Sequence, residues 1–227
     1  MRILAIDTAL EACSVAVLDT GNPAGFVHES QPMVRGHAEA LMPMLARVLD
    51  AAQIAATELD RIAVTVGPGS FTGLRVGIAA ARGLALATGK PAVAVTTFAG
   101  FAAPYIAADD SLPVVAAIDA RHDHLYIHVF GPGGRTLVAP RLVGLADALR
   151  IATSGSPRVV GTGARLLASH WPSAAAIPAA IDPRRAPDIG WVARLGAAAQ
   201  DTGTPPKPLY LRAPDAKPQG TAQLARR

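Results

Sequence analysis

Arg61-Ile-Ala-Val-Thr-Val66 leads directly into Gly67-Pro-Gly-Ser-Phe-Thr-Gly-Leu-Arg-Val-Gly77. The apolar run predicts a buried strand, and the glycines and proline predict a tight turn. The small residues that follow predict a helix with one smooth face. In an α/β protein, a turn from strand to helix is where a ligand binds or where two backbones pack closely. The role of this turn therefore bears on whether the chain is an enzyme or a partner of one.

The glycine-rich turn does not match the common phosphate-binding or nucleophile motifs. A Walker A loop that started at Gly67 would have its second glycine at position 72, followed directly by lysine, but the chain has Thr72 there. A dinucleotide-binding fingerprint needs its third glycine at that position, but the glycine comes one residue later, at Gly73. A nucleophile elbow around Ser70 needs glycine where Pro68 and Thr72 stand. The sequence thus favours a packing role for the turn.

Small residues recur every four positions along the helix that follows and form one stripe: Gly73, Gly77, Ala81 and Ala85. Such a stripe lets another backbone approach unusually closely. Arg75 and Arg82 flank the stripe and indicate a helix with a water-facing side. Two interpretations stay open on these residues alone. The helix packs tightly on its own sheet, or it offers a seam to a helix of another chain.

The two halves of the chain begin with the same pattern. In each half an apolar strand ends in Ile-Asp, a short polar turn follows and a second strand returns, over 2–7 with 14–18 and over 112–119 with 125–130. The two aspartates are Asp7 and Asp119. This pattern predicts a structural duplication. We expect an N-terminal domain over 1–108, a C-terminal domain over 109–212 and a flexible tail over 213–227.

Helical and strand patterns alternate along the rest of the chain. We predict helices over 37–52, 70–87, 97–107, 145–153, 163–169 and 189–199, and strands over 61–66, 91–95 and 157–161. Alternating strands and helices predict an α/β fold. Its sheets are largely parallel and follow an antiparallel hairpin in each half.

Composition predicts a cytoplasmic protein without a membrane span. Cys13 is the single cysteine, which excludes an internal disulfide and fits a reducing compartment. The apolar start is too short for a signal peptide, and the longest uncharged stretch is interrupted by proline and glycine. A net charge of +4 permits a nucleic-acid partner, but the arginines form no basic run.

No metal site is expected from the histidines. His37 and Glu39 open a predicted helix, but the second ligand of a helical metal pair would stand at position 41, where the chain has Leu41. His124 and His128 share one strand face near His122, without cysteine and with few carboxylates to complete a site.

Several motifs together resemble the TsaB (YeaZ) family. They are Ile6-Asp7-Thr8 with Cys13-Ser14-Val15-Ala16-Val17, Arg35-Gly36-His37-Ala38-Glu39, the glycine segment 67–77, Asp119-Ala120-Arg121 and Pro208-Leu-Tyr-Leu-Arg212. The resemblance spans residues 2–212, and the glycine segment is its most specific part. It implies two duplicated actin-like (ribonuclease H-like) domains, each a mixed sheet flanked by helices, as in the actin and sugar-kinase superfamily.

The resemblance implies a non-catalytic subunit in the synthesis of threonylcarbamoyladenosine on tRNA. Its partner would be TsaD, which transfers threonylcarbamoyl to the tRNA adenosine beside the anticodon and holds a metal with a His-x-x-x-His helix motif. Leu41 stands where that second histidine would be. The small ATPase TsaE would join the pair, and the chain alone would form a homodimer. No cofactor is implied, except ATP or ADP at the TsaD interface, and tRNA would be met only through the complex.

The resemblance also implies which residues meet the partner. It assigns the two helices of the first domain to the interface, with His37, Leu41, Met44, Leu45, Gly73, Arg75, Gly77, Ala81 and Arg82. Asp7, Thr8 and Asp119 are candidate remnants of a nucleotide site. Two alternatives remain: an autonomous nucleotide-dependent enzyme or M22-like peptidase, in which Asp7 and Asp119 hold magnesium and phosphate, and a tRNA-binding module.

Overall fold

The computed structural model describes residues 1–22 and 24–212, so the tail predicted over 213–227 lies outside the described residues. Two five-stranded mixed sheets organise these residues. The sheets follow one another along the chain, and helices cover both faces of each.

The first sheet has the strand order β3-β2-β1-β4-β5. Its strands are β1 (Arg2–Asp7), β2 (Ala12–Asp19), β3 (Phe26–Pro32), β4 (Arg61–Thr65) and β5 (Ala92–Val95). β1, β2 and β3 form an antiparallel meander, whereas β4 and β5 join β1 in parallel. The parallel strands read as continuous apolar runs because both of their faces are buried.

The second sheet repeats this arrangement. Its strands are β6 (Val114–Asp119), β7 (His124–Phe130), β8 (Thr136–Gly144), β9 (Arg158–Val160) and β10 (Ala180–Asp182), in the order β10-β9-β6-β7-β8. β6, β7 and β8 are antiparallel, and β9 and β10 continue from β6 in parallel. When the second order is reversed, so that each sheet is read from the third strand of its half (β3 or β8), the two strand orders are the same. This confirms the predicted duplication.

Six α-helices complete the described part of the chain. They are α1 (His37–Ala52), α2 (Phe71–Thr88), α3 (Thr97–Ala108), α4 (Leu145–Ala152), α5 (Ala164–Ser169) and α6 (Ile189–Ala198). Each was predicted to within one residue at either end. The sequence patterns did not reveal β3, β8 and β10, which lie at sheet edges.

The two halves exchange one helix each. α1 and α2 cover one face of the first sheet, and α6 reaches back from the second half to cover the other face. α3, which belongs to the first half, packs through Phe98 and Phe101 on the second sheet. α4 and α5 cover the remaining face. α3 and α6 contact each other and so form a middle layer between the sheets. The domain division at residue 108 stays a prediction. The exchange shows in addition that each sheet is covered on one face by a helix from the other half of the chain.

Arg61 binds the C-terminal end of α6. Its guanidinium donates hydrogen bonds to the carbonyl oxygens of Gly196, Ala197 and Ala199, at 3.0, 3.1 and 2.5 Å. The last carbonyls of a helix lack partners within the helix and carry partial negative charge. A cation at the start of β4 therefore fixes α6 on the first sheet.

Over residues 1–22 and 24–212, no helix combines the length and the apolar character that crossing a bilayer requires.

Candidate functional site

A cleft of about 530 Å³ lies between the two halves. It opens where the parallel strands of both sheets reach their carboxyl ends, which is where ligands bind in open α/β sheets. Its walls come from the turns that follow β1, β4, β6, β9 and β10. The lining residues are Leu10, Glu11, Val34, Gly69, Ser70, Ile118, Asp119, Ala120, Arg121, Tyr126, Thr162, Arg165, Pro183 and Arg185.

A Gly-x-Gly turn stands on each side of the cleft. Gly67 and Gly69 follow β4, and Gly161 and Gly163 follow β9. The first glycine of each pair has positive φ, 110° at Gly67 and 101° at Gly161, a conformation that side-chain-bearing residues rarely adopt. The second pair is an internal repeat of the first. The signal is present in the sequence, as Val-Gly-x-Gly after each strand, but the duplication was predicted from the Ile-Asp hairpins without it.

Gly69, Gly73 and Gly77 are explained by packing within the chain. A methyl group on Gly69 or Gly73 would stand well under 3.0 Å from the carbonyl oxygen of Ala9 or Thr8, respectively. On Gly77 it would overlap the Thr8 hydroxyl in the same way. The small-residue stripe therefore brings the backbone of α2 against the turn between β1 and β2. Of the two interpretations that the residues left open, the structure supports packing on the chain's own sheet.

Asp7 and Thr8, candidate remnants of a nucleotide site, lie beneath this packing. Thr8 is 1% exposed, and its hydroxyl donates to the Gly73 carbonyl oxygen at 2.7 Å. Asp7 is fully buried, and its Oδ1 accepts from the Thr65 hydroxyl at 2.5 Å and from the Ala9 amide at 3.1 Å. Its Oδ2 has no hydrogen-bond partner among the described residues. Burial raises the pKa of Asp7 to about 6. Neither residue lines the cleft.

Asp119, the third candidate, does line the cleft and is exposed. Its Oδ1 accepts from the Arg121 amide at 2.7 Å, and its own amide donates to the Thr162 hydroxyl at 3.0 Å. Arg121, His122 and Asp123 have φ of 63°, 53° and 55°. Three such non-glycine residues in succession are costly and persist only where the surroundings impose them. The two aspartates that looked equivalent in sequence thus differ: one is buried under α2, and the other faces the cleft.

Arginines dominate the charge of the cleft. Arg121 and Arg165 are exposed in its lining, and no hydrogen bond or ion pair of either guanidinium is found among the described residues. Arg185 pairs with Glu11 at 2.7 Å and so joins the two halves across the cleft. Sequence reasoning singled out Arg121 only within a motif and missed Thr162, Arg165 and Arg185. No sequence pattern links these residues because three separate turns and the start of α5 supply them.

Most residues predicted to touch a partner lie inside the chain's own core. They are His37, Leu41, Met44, Leu45, Gly73, Gly77 and Ala81, all buried. His37, for example, donates from Nε2 to the Leu10 carbonyl oxygen at 3.1 Å. A partner does not reach these side chains in this conformation, because α1 and α2 turn them toward the sheet. Arg75 and Arg82 are exposed, although Arg75 already stacks on Phe71 and donates to the Tyr210 hydroxyl at 3.2 Å.

The side of α1 and α2 that faces away from the sheet carries small and apolar residues. We call it the outer face and define it by Met42, Ala46, Val76, Ala79, Gly83 and Leu86. Met42 is 51% exposed and Leu86 is 88% exposed. A methyl group on Gly83 would meet nothing within 4 Å. Exposed apolar side chains on one side of two neighbouring helices are typical of a protein–protein contact.

His128, in the second half, is buried and has structural surroundings. His128 lies against the rings of Phe98 and Phe130, and burial lowers its pKa to about 4. Its Nε2 makes a hydrogen bond of 3.1 Å with the Thr136 hydroxyl. Within the residues that the structure describes, no group of three histidine, cysteine or carboxylate side chains could hold a metal ion.

Comparisons with known proteins agree with the motifs. A family model described as "TsaD: tRNA N6-adenosine threonylcarbamoyltransferase" matches residues 27–175. The chain is 41% identical over 126 residues to "tRNA threonylcarbamoyladenosine biosynthesis protein TsaB" of Escherichia coli. That match covers 56% of this chain and 53% of the relative, so it spans about half of the relative's length. An uncharacterized protein of Mycobacterium tuberculosis is 34% identical over 95% of this chain and 94% of its own length.

A solved structure is similar over almost the whole fold. "YeaZ from Pseudomonas aeruginosa" is 31% identical, with a TM-score of 0.78, over 92% of this chain and 99% of that chain. Together with the repeated strand order, this similarity confirms the predicted architecture, two duplicated units of mixed sheets flanked by helices. The chain therefore belongs to the TsaB/YeaZ family.

Proposed function

We propose that this chain is a non-catalytic subunit in the cytoplasmic synthesis of threonylcarbamoyladenosine on tRNA. In this role it binds the threonylcarbamoyltransferase TsaD and activates it. The name of the Escherichia coli relative assigns that protein to the same biosynthesis, and the matching family model is the one described for TsaD. TsaE, a homodimer of the free chain, and nucleotide at the TsaD contact stay predictions of the same proposal.

The observation that carries the proposal is the outer face of α1 and α2. The buried sides of both helices are already used by the chain's own core, so only the outer face is free for a second protein. Ala46, Ala79 and Gly83 are small enough to let a helix of the partner come close, and Met42 is a flexible apolar contact. Leu86, at 88% exposed, would gain the most from being covered. We therefore move the predicted contact from the core-facing residues to these.

The burial of the candidate nucleotide-site residues favours a role as a supporting subunit over catalysis by this chain. Asp7 and Thr8 are sealed under α2, so the first half does not offer them to a substrate. The position of the second metal-binding histidine of TsaD is Leu41, which is 1% exposed and part of the core. Under the proposal, activation comes from holding TsaD in its active arrangement.

The experiment combines binding and reconstituted modification. The purified chain, TsaD, TsaE and the adenylate-forming enzyme are mixed with unmodified tRNA, and threonylcarbamoyladenosine is measured with and without the chain. Ala79→Glu places a charge on the outer face, and Ala146→Glu places the same charge on the exposed side of α4 in the second half as a control. A charge buried without a partner at an interface opposes binding strongly.

We expect Ala79→Glu to abolish capture of TsaD and to reduce modification to the level found without the chain. Ala146→Glu should behave like the unchanged protein, and both variants should show the same circular dichroism. Full modification in the mixture lacking the chain would refute the activating role. Unimpaired TsaD binding by Ala79→Glu would refute the outer face as the contact.

A further inference from the structure

We propose that a cavity between the C-terminal half of α2 and the segment 201–205 is the docking site of this chain's own residues 221–225, with Leu224 as the side chain that enters it. The inference goes beyond the proposed function and does not depend on it.

The cavity lies at the edge of the first sheet and shares no lining residue with the cleft between the two halves. Its volume is about 520 Å³, and its wall is mostly small and apolar, with Ala85 and Leu86 from α2, Ala92 from β5 and Pro205 from the segment 201–205. Leu86 is 88% exposed. The described residues thus leave a concave apolar wall open to water, and covering it is favourable.

β5 forms one side of the cavity and offers a free strand edge. The carbonyl oxygens of Pro91 and Val95 accept hydrogen bonds from β4, so the main-chain groups of Ala92 and Ala94 point away from β4. Of the four edge strands in the described part of the chain, β3, β8 and β10 each contain a proline or a charged residue, which discourages pairing, and β5 contains neither. An extended segment added to β5 would gain main-chain hydrogen bonds and place alternate side chains in the cavity.

The residues that follow Arg212 are long enough to return to this cavity. Pro205 lines the cavity, and Arg212 stands seven residues later. Seven residues span at most about 25 Å, so Arg212 lies within that distance of Pro205. Leu224 follows Arg212 by twelve residues. Twelve extended residues span about 40 Å, so Leu224 can reach the cavity with length to spare.

The composition of the tail indicates which part of it docks. Leu224 is the only large apolar residue within 213–227. Residues 221–225 contain no proline, glycine or charge, whereas residues 213–220 contain all three, so only the later stretch suits pairing with a strand. With Leu224 in the cavity, Ala222 faces the same side, because side chains alternate along a strand.

The charges around the cavity also suit this segment. Asp201 is the carboxylate of the lining and is exposed. Arg226 and Arg227 follow Leu224 by two and three residues, so a docked segment brings them near Asp201. Arg82 is the cation of the lining, and its long, exposed side chain can turn toward water. The contact is therefore mainly apolar, with an exposed ion pair that adds little.

Gly83 and Leu86 belong both to the cavity and to the outer face. The docked segment would therefore cover one end of the surface proposed to contact TsaD. TsaD would displace the segment when it binds, a consequence that rests on the proposed function.

The test is cysteine cross-linking in the full chain. Ala85→Cys places a thiol in the cavity wall, and Ala225→Cys places a second thiol beside Leu224. The control pair keeps Ala225→Cys and moves the first thiol to the exposed side of α4, as Ala146→Cys. Cys13 does not interfere, because it is fully buried. A short bis-maleimide is added to dilute protein, and linked monomers are measured by mass spectrometry.

Two further variants carry the Ala85 pair and test the anchoring side chain. Leu224→Glu places a charge where the apolar side chain enters the cavity, and Ala216→Glu places the same charge earlier in the tail. Circular dichroism and the unfolding temperature of each variant are compared with those of the unchanged chain.

We expect the Ala85 pair to link about tenfold faster than the Ala146 pair, since burial of one leucine side chain supplies a factor of that size. Leu224→Glu should lower the rate to that of the control pair, and Ala216→Glu should leave it unchanged. Equal rates for the two pairs would overturn the proposal, as would an unchanged rate in Leu224→Glu or an equal loss in Ala216→Glu. Linked dimers in place of linked monomers would also overturn it and would assign the cavity to the tail of a second copy. TsaD is absent from this experiment, so failure here and failure of the TsaD contact are distinguishable.

Discussion

Replacing Gly73 by alanine tests the packing of α2 on the first hairpin most directly. The perturbation adds one methyl group to a helical position, and Gly83→Ala adds the same group ten residues further along the same helix. At Gly73 the methyl group would overlap the backbone carbonyl oxygen of Thr8, whereas at Gly83 it meets nothing within 4 Å. The two variants add the same methyl group to one helix, at its first turn for Gly73 and in its interior for Gly83, and they differ most in what that group meets.

The expected free energies of unfolding differ in sign. Alanine favours a helix over glycine by about 1 kcal/mol, so Gly83→Ala should gain about that amount. At Gly73 the obstacle is backbone, which does not rotate away, so overpacking should cost about 3 kcal/mol, the upper end of the usual range. The displaced carbonyl of Gly73 also loses its hydrogen bond from Thr8, worth about 1 kcal/mol. Gly73→Ala should thus lose about 3 kcal/mol in total, once the helix gain is subtracted.

Urea unfolding followed by circular dichroism measures both variants against the unchanged chain. Because each kcal/mol shifts the unfolding temperature of a chain of this size by about 2–4 °C, thermal unfolding gives an independent reading. Equal stability of Gly73→Ala and Gly83→Ala, within about 0.5 kcal/mol, the usual spread of surface substitutions, would refute this packing. In that case the stripe would not be in contact with the hairpin.

Three further outcomes follow from the buried polar groups. Arg61→Ala should lower the free energy of unfolding by about 2–3 kcal/mol in urea, since the carbonyls at the end of α6 lose a charged donor; Arg135→Ala is the control. Asp7 has a pKa of about 6 in the fold against an ordinary 3.8, so the folded state keeps a proton that the unfolded state loses, and stability falls as pH rises through 4–6. Between pH 4 and pH 7.5, the stability of Asp7→Asn relative to the unchanged chain should rise by about 2 kcal/mol. The depressed pKa of His128 acts in the opposite direction, but it is common to both proteins and cancels in that difference. A stability difference that stays constant with pH would contradict the assignment. Burial raises the pKa of the Cys13 thiol to about 11, so a thiol reagent at pH 8 should react with it only after denaturation; rapid reaction of the native chain would contradict this.

The sequence predicted the elements whose patterns reflect burial. α1 was predicted with its observed bounds because its apolar residues recur at helical spacing and one face enters the core. β3 and β8 were missed because they are edge strands with many exposed positions, so they lack the apolar alternation that identifies a strand. β10 is only three residues long and too short for any pattern.

The candidate site was predicted in part. The pairing of Asp7 with Asp119 came from a real duplication, but the repeat could not show that α2 covers one of them and leaves the other open. A stripe of small residues predicts a close backbone neighbour without saying which backbone it is, and here it is the hairpin turn at Thr8. The cleft depends on residues from separate turns, among them Arg121, Thr162 and Arg185, and their proximity exists only in the folded chain.

The exchange of α3 and α6 sets a limit on how the protein is made. After residue 95 has been synthesised, all five strands of the first sheet are available, but the helix that covers its second face ends only at residue 198. Ribosomes add roughly 5–20 residues per second, so that apolar face waits for roughly 5–20 s. During this interval the nascent first half is a target for chaperones and for aggregation, and a fragment that ends before α6 would keep the exposed face permanently.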